Sequence, residues 1–256
     1  MRRSAMDRID SEAWRRWFRA NRHRPSPRPS GPIRLRPELH DALGRALAVF
    51  QLGEAGEGRV AHEAARSDAP FLDAALVECI DLYVREEGRH ARELLRVLRA
   101  MEVEPLRRTP AERLFRWTRR ALGLRQKMLT IAVAEVVGVV FYGLVHERVP
   151  NADVAAVARA IAHDEAAHLD FQAALFAEIL RDASPAWRVT TGIAFFAVGM
   201  GAVATVAIDQ RAFLRAVGCT PAELARRCLR EVTSRWSLED RGVVWASLTR
   251  DDVLVA

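Results

Sequence analysis

The 256-residue chain has few cysteines, three in all. They lie far apart, at Cys79, Cys219 and Cys228, and none forms a C-x-x-C pair. This spacing excludes a disulfide framework and a zinc knuckle, and it indicates a reducing compartment. The first residues have no apolar run of the kind found in secretory signals. We therefore expect a cytoplasmic protein, with peripheral membrane association as the alternative.

The sequence also has few segments that favour β-strands. Ala, Leu, Arg and Glu dominate the composition, and all four residue types form helices readily. The sequence therefore predicts an all-α fold. The expected long helices cover residues 37–66, 71–101, 125–148 and 152–182, and two further helices start after Pro185 and near Pro221. Short breaks within each of the first two pairs predict antiparallel neighbours, and the long break between the pairs predicts a crossover with a short helix of its own.

Charge is distributed unevenly along the chain. The net charge is +6, but residues 1–36 alone carry eleven arginines against three acidic residues. We expect this part to be a basic, partly disordered arm with a short amphipathic helix over 10–20 and a Pro-rich linker over 24–32. Residues 37–183 are expected to form the main helical domain, and 184–256 a C-terminal helical extension packed on it. We expect no nucleic-acid partner.

One motif occurs twice in the predicted helices. Glu87 and His90 form E-x-x-H, and Glu165 and His168 repeat it 78 residues later. Residues three apart share a helix face, so each pair can point at one site. An acidic residue precedes each motif, Glu86 in the first copy and Asp164 in the second.

The same spacing links two further acidic residues. Glu135 is the only charged residue between Met128 and Val145, and a lone carboxylate in so apolar a helix needs a partner. The residue 78 positions earlier is Glu57. Glu54 lies on the same face as Glu57 and competes with it, but the repeat favours Glu57. The chain therefore reads as two helical hairpins, each with one Glu and one E-x-x-H.

This set of side chains has the chemistry of a metal site. Four carboxylates buried together are costly unless cations neutralise them, and two divalent ions supply four positive charges. Carboxylate and imidazole ligands suit iron or manganese. The predicted metal ligands are Glu57, Glu87, His90, Glu135, Glu165 and His168.

Over residues 40–180 this ordered set resembles the ferritin-like di-iron carboxylate superfamily. The resemblance implies a four-helix bundle with a long crossover, holding two iron ions, with manganese as the alternative. It implies that Glu87 and Glu165 bridge or flank the metals, that Glu57 and Glu135 are terminal carboxylates, and that each histidine holds one ion. The two tyrosines, Tyr83 and Tyr142, are expected to be hydrogen-bonded in the bundle, with a redox role as the alternative.

The resemblance further implies an oxidoreductase that activates O2 to attack an organic substrate. Its partners would be a small molecule, O2 and an external electron donor, because the chain has no flavin or nicotinamide fingerprint; a homodimer is left open. One alternative is iron or peroxide handling, as in ferroxidases and rubrerythrins. The other is a non-enzymatic binding scaffold that a metal stabilises.

A long uncharged segment lies after the predicted domain. Residues 189–208 contain twenty uncharged residues in a row, which is long enough to span a bilayer. Because threonines and glycines make it only moderately hydrophobic, we expect a buried fifth helix that covers the bundle. Membrane contact through 189–208 is the alternative.

Overall fold

Every regular element in the described residues is an α-helix, which confirms the all-α prediction. A computed structural model describes residues 9–55, 58–107, 124–181 and 183–236. The predicted short helix of the crossover and the end of the chain after 236 lie outside these residues. The helices are α1 (Ser11–Asn21), α2 (Pro37–Glu54), α3 (Gly58–Ala64), α4 (Ala74–Ala100), α5 (Leu124–Arg148), α6 (Ala152–Leu180), α7 (Pro185–Asp209), α8 (Arg211–Ala216) and α9 (Pro221–Trp236).

Local capping explains where several helices begin. Asp73 accepts a hydrogen bond from the Leu76 amide at the start of α4, and Asn151 caps α6 in the same way by accepting from the Val154 amide. Pro37 occupies the first turn of α2, where its missing N–H costs nothing.

The single helix predicted over 37–66 is wrong, because α2 ends at Glu54 and the separate helix α3 starts at Gly58. Gly53, Gly56 and Gly58 fall within six residues of each other at this break. Each glycine in a helix interior costs about 1 kcal/mol relative to alanine, so their sum makes a continuous helix unfavourable here.

Four long helices provide most of the packing. α5 and α6 form a hairpin through the turn at 149–151 and contact each other extensively, α2 packs along α4, and α4 contacts α6. Aromatic stacking links α2 to α5, since the rings of Phe50 and Phe141 lie parallel with centroids 3.7 Å apart.

The N-terminal segment is part of this core from residue 9 onward. α1 packs on α4 and buries Trp14 and Phe18, which contact Phe171 of α6 in edge-to-face geometry. The amphipathic helix predicted over 10–20 is thus confirmed, and the described part of the predicted arm is packed against the domain.

The C-terminal extension packs on the domain mainly through α8 and α9. Phe213, Leu214, Leu224 and Cys228 belong to the hydrophobic core cluster that also contains residues of α2, α5 and α6. Helix α7 differs, because none of its residues is buried. The prediction of a buried fifth helix is therefore wrong: α7 packs on α5 and α9 with one face only.

Two described helices are long and apolar enough to cross a membrane. They are Gln126–Arg148 within α5 and Pro185–Asp209, which is α7, with mean hydropathies of 2.2 and 2.0. The first is 72% buried inside the protein and the second 0%. The α5 segment is accordingly a core helix, whereas packing within the described residues does not account for the hydropathy of α7.

Candidate metal centre

Five of the six predicted metal ligands lie in described residues, and all five are buried. α4 carries Glu87 and His90, α5 carries Glu135, and α6 carries Glu165 and His168, with exposed fractions between 0% and 4%. The sixth, Glu57, lies outside the described residues. The three-residue spacing of each E-x-x-H motif places both side chains on the inner face of its helix, as predicted.

The buried side chains form two overlapping groups. Glu87, Glu135, Glu165 and His168 each offer a ligand atom within 4.8 Å of the others. Glu54, Glu87, His90 and Glu165 form a second group under the same limit. Each group contains one histidine and one carboxylate of its own, and the two groups share Glu87 and Glu165.

Glu54 therefore holds the position in the second group that Glu135 holds in the first. The two tyrosines of the chain reinforce this correspondence. Tyr83 donates a hydrogen bond to Oε1 of Glu135, and Tyr142 donates one to Oε1 of Glu54 at 2.5 Å. Both tyrosines are fully buried. Their hydrogen-bonded placement confirms the first expectation for these residues, and each phenol orients one carboxylate.

The two histidines are held by carboxylates from the opposite helix. Nε2 of His90 donates to Oδ2 of Asp164 at 3.1 Å, and Nε2 of His168 donates to Oε2 of Glu86 at 3.1 Å. The Nδ1 atoms then face the shared carboxylates, with His90 Nδ1 3.1 Å from Oε1 of Glu165. Carboxylates that accept from the remote imidazole nitrogen commonly fix the tautomer and ring orientation of metal-binding histidines.

The end of α1 and the residues that follow it tie these outer carboxylates together. The Asn21 amide donates to Glu86 at 2.9 Å and to Asp164 at 3.1 Å. Nη2 of Arg24 and Nη2 of Arg89 lie 2.5 Å and 2.8 Å from Oδ2 of Asp164. Arg89 also donates through Nη1 to the carbonyl of Asn21. The N-terminal segment thus supplies both donors and charge to the outer side of the site.

The inner carboxylates repel one another in the metal-free protein. Burial, followed by the charge of Glu135, raises the pKa of Glu165 to about 8. Burial and the charges of Glu135 and Glu165 raise the pKa of Glu87 well above its ordinary value. The pKa of Glu135 is lowered although burial opposes this, because Glu165, His168 and Tyr83 hydrogen-bond to it.

The pKa values of both imidazoles are raised, although burial alone would lower them. Burial alone would lower the pKa of His90, but hydrogen bonds to Asp164 and Glu165 outweigh it and raise that pKa to about 10. The pKa of His168 is likewise raised, against burial, by hydrogen bonds to Glu135, Glu165, Glu86 and Glu87. Without metal, the cluster therefore retains protons at neutral pH on groups that are metal ligands when deprotonated.

The donor set suits a pair of divalent cations. Glu54, Glu87, Glu135 and Glu165 carry four negative charges when ionised, which two divalent ions neutralise. Oxygen and imidazole nitrogen ligands in this proportion favour iron or manganese over calcium or magnesium. The residues present thus fit the buried metal site predicted from the repeat.

Sequence reasoning missed part of the site. The repeat identifies Glu86 and Asp164 as recurring acidic residues, but no role was predicted for them. The spacing of motifs in the sequence does not indicate Asn21, Arg24 or Arg89. The repeat of an acid directly before each E-x-x-H was the available signal for the outer carboxylates. No signal of that kind exists for Asn21, because its contacts join residues 65 and 143 positions away.

Comparison of the chain with models of protein families, with characterised proteins and with solved structures finds no match. The metal-site interpretation consequently depends on the arrangement of the chain's own side chains.

Asn21 offers a test of the outer hydrogen bonds. Replacing it with alanine (Asn21→Ala) removes the amide shared by Glu86 and Asp164, so both histidines lose orientation. We expect metal affinity to fall about 10-fold to 100-fold, as for other outer partners of metal ligands. Competition titration with Mn(II) measures the change. The exposed neighbour substitution Arg22→Ala is the control and should bind as wild type. Equal affinity of wild type and Asn21→Ala would contradict a role for this amide.

The raised pKa values predict that metal binding is pH-dependent. Glu165, with a pKa of about 8, and His90, with a pKa of about 10, are protonated in the metal-free protein below those pH values. Metal must displace these protons, so affinity should rise as pH increases from 6 to 8, with release of about one proton or more per ion. Calorimetry with Mn(II) in buffers of different ionisation enthalpy counts the protons. A pH-independent affinity with no proton release would contradict the assignment of these residues as ligands.

Proposed function

We propose that α2, α4, α5 and α6 form a ferritin-like four-helix bundle whose core binds two metal ions, iron in the first instance with manganese as the alternative. Glu87 and Glu165 would contribute to holding both ions, because both belong to each of the overlapping groups. One ion would take Glu135 and His168, and the other His90 with a carboxylate from the first helix.

The first-helix carboxylate is Glu54 in this proposal. Glu54 lies within 4.8 Å of the ligand atoms of Glu87, His90 and Glu165 and accepts a hydrogen bond from Tyr142. Glu54 lies three residues before the position that the 78-residue repeat predicts. The break after α2 explains this difference, because α2 is interrupted where α5 is continuous and the two helices need not match in register. Glu57 remains the prediction of the repeat itself.

We further propose that the protein is an oxidoreductase that activates O2 and oxidises an organic substrate. Two bound ferrous ions would supply the electrons and open coordination positions for that chemistry. The proposal depends on one observation: the two overlapping groups have one histidine each and share two carboxylates. Shared carboxylates would hold two ions close together. An external electron donor would have to replace the electrons that the metal site gives up.

The protein's own contribution would be to orient the ligands and exclude water. Glu86 and Asp164 hold the imidazoles, and Tyr83 and Tyr142 hold the terminal carboxylates. The Phe18 ring stacks on His168 at a centroid distance of 6.1 Å, and both side chains are fully buried. A dry, pre-oriented site strengthens electrostatic interactions and limits side reactions.

Gln172 is a candidate for binding the substrate. It lies four residues after His168 on α6, and therefore on the same face about one turn, or roughly 6 Å, away. The side chain is fully buried, and neither of its polar atoms has a hydrogen-bond partner among the residues that the structure describes. A buried carboxamide without partners is costly, and a polar group on a bound substrate would satisfy it.

Oxygen uptake after anaerobic Fe(II) loading tests the function. We expect one short burst, with oxidation limited to about two irons per chain, and sustained O2 uptake only when a chemical reductant is added. A substrate should then increase O2 consumption and appear as an oxidised product by mass spectrometry. Continued oxidation of many irons per chain without a reductant would contradict the proposal and favour iron storage. Absence of any O2 reaction in metal-loaded protein would favour the scaffold alternative.

A further inference from the structure

Helix α7 exposes an apolar surface that the described protein does not cover. Its large side chains remain open to solvent, with exposed fractions of 61% for Val189, 64% for Ile193, 61% for Phe196 and 63% for Ile208. From Val189 to Ile208 no residue carries a charge. Monomeric soluble proteins rarely expose an apolar patch of this length, so a partner is expected to cover it.

We propose that α7 docks the protein on a lipid bilayer, lying in the plane of the membrane interface. The proposal does not depend on the proposed function, because no residue of the metal site is on α7.

The distribution of exposed side chains around α7 favours lipid over a second copy of the chain. Ile193 and Val198 are about 140° apart around the helix axis at 100° per residue, and both are exposed. One partner helix covers a single stripe and would leave the other side chain in water. A fluid apolar phase covers both.

Charge at the two ends of α7 supports the same partner. Arg188 lies at one end, and Arg211 and Arg215 follow the other; all three are exposed. Trp187 is half-buried beside Arg188, and tryptophan and arginine are both typical of the headgroup region. The exposed carboxylate of Asp209 also lies at the second end, so the two arginines there leave a net charge of +1, and each end of the apolar helix still carries an excess of positive charge that complements anionic headgroups.

Packing of α9 against the middle of α7 decides between an in-plane and a spanning helix. An apolar cleft is lined by Phe195, Phe196, Met200 and Val203 of α7 together with Cys228 and Leu229 of α9. If α7 crossed the bilayer, this contact would lie near the bilayer centre. The exposed arginines Arg226 and Arg230 of α9 would then be in hydrocarbon, at a cost of several kcal/mol each.

Lying in the interface, α7 presents about 30 Å of uncharged helix to lipid, while the arginine-bearing face of α9 stays on the water side. The cleft extends the apolar surface to Leu229, which is 52% exposed, so the docking surface consists of the outer face of α7 and this edge of α9.

Vesicle flotation of the full, metal-loaded chain tests the proposal. We expect wild type to float with phosphatidylcholine–phosphatidylglycerol vesicles and to stay bound at high salt, because apolar burial provides most of the binding. The double variant Ile193→Glu, Phe196→Glu should lower the bound fraction about tenfold, since it removes two apolar anchors and adds charge. The single variant Ile193→Glu should give an intermediate loss.

Val49→Glu, Leu106→Glu is the matched control, because it makes the same charge change at two exposed apolar residues away from α7. It should float as wild type does. Metal content of all variants should equal that of wild type, which separates this result from a failure of the metal site. Failure of wild type to float would overturn the proposal, as would unchanged flotation of the α7 double variant. If wild type does not float but forms a dimer without lipid, and the double variant is monomeric, α7 would be assigned to contact with a second copy of the chain.

Discussion

Burial of several carboxylates in one helical core is the constraint on which the structure depends. Glu87, Glu135 and Glu165 are at most 4% exposed and lie within contact of one another. Like charges in a medium of low polarity are unfavourable by several kcal/mol each unless cations or protons compensate them. In the metal-free protein, protons retained by Glu87, Glu165 and the two histidines supply that compensation. Metal ions would replace those protons and bind the four helices together.

The surrounding structure is arranged in layers around this cluster. The inner layer holds ligand atoms, and the next layer holds Tyr83, Tyr142, Glu86 and Asp164, which orient them. The N-terminal segment then covers the outer carboxylates with amide and guanidinium groups. Hydrogen bonds connect each layer to the one inside it, so ligand geometry is coupled to the docking of α1. In this way the basic N-terminal segment becomes a structural part of the site.

Some of this arrangement could be predicted from sequence, because helical periodicity and a repeated motif are local properties. The E-x-x-H pairs and Glu135 stand out by spacing alone, and the structure brings them together. The break after Glu54 was missed because three spaced glycines are weak signals individually. The same break bears on the choice between Glu54 and Glu57, since a repeat assumes equal helix register in both halves. The exposure of α7 was predicted wrongly, because an uncharged run of that composition suits a buried core helix and a lipid-facing helix equally well.

The measurement that most directly tests the central claim is the number of metal ions bound per chain after anaerobic Fe(II) loading and desalting. Wild type should retain about two, and Glu135→Ala should retain one or none because a buried ligand is lost. Glu147→Ala removes the same side chain from the same helix where it is 46% exposed, and should retain as much metal as wild type. Absence of stoichiometric metal from wild type, or equal retention by Glu135→Ala, would contradict the account.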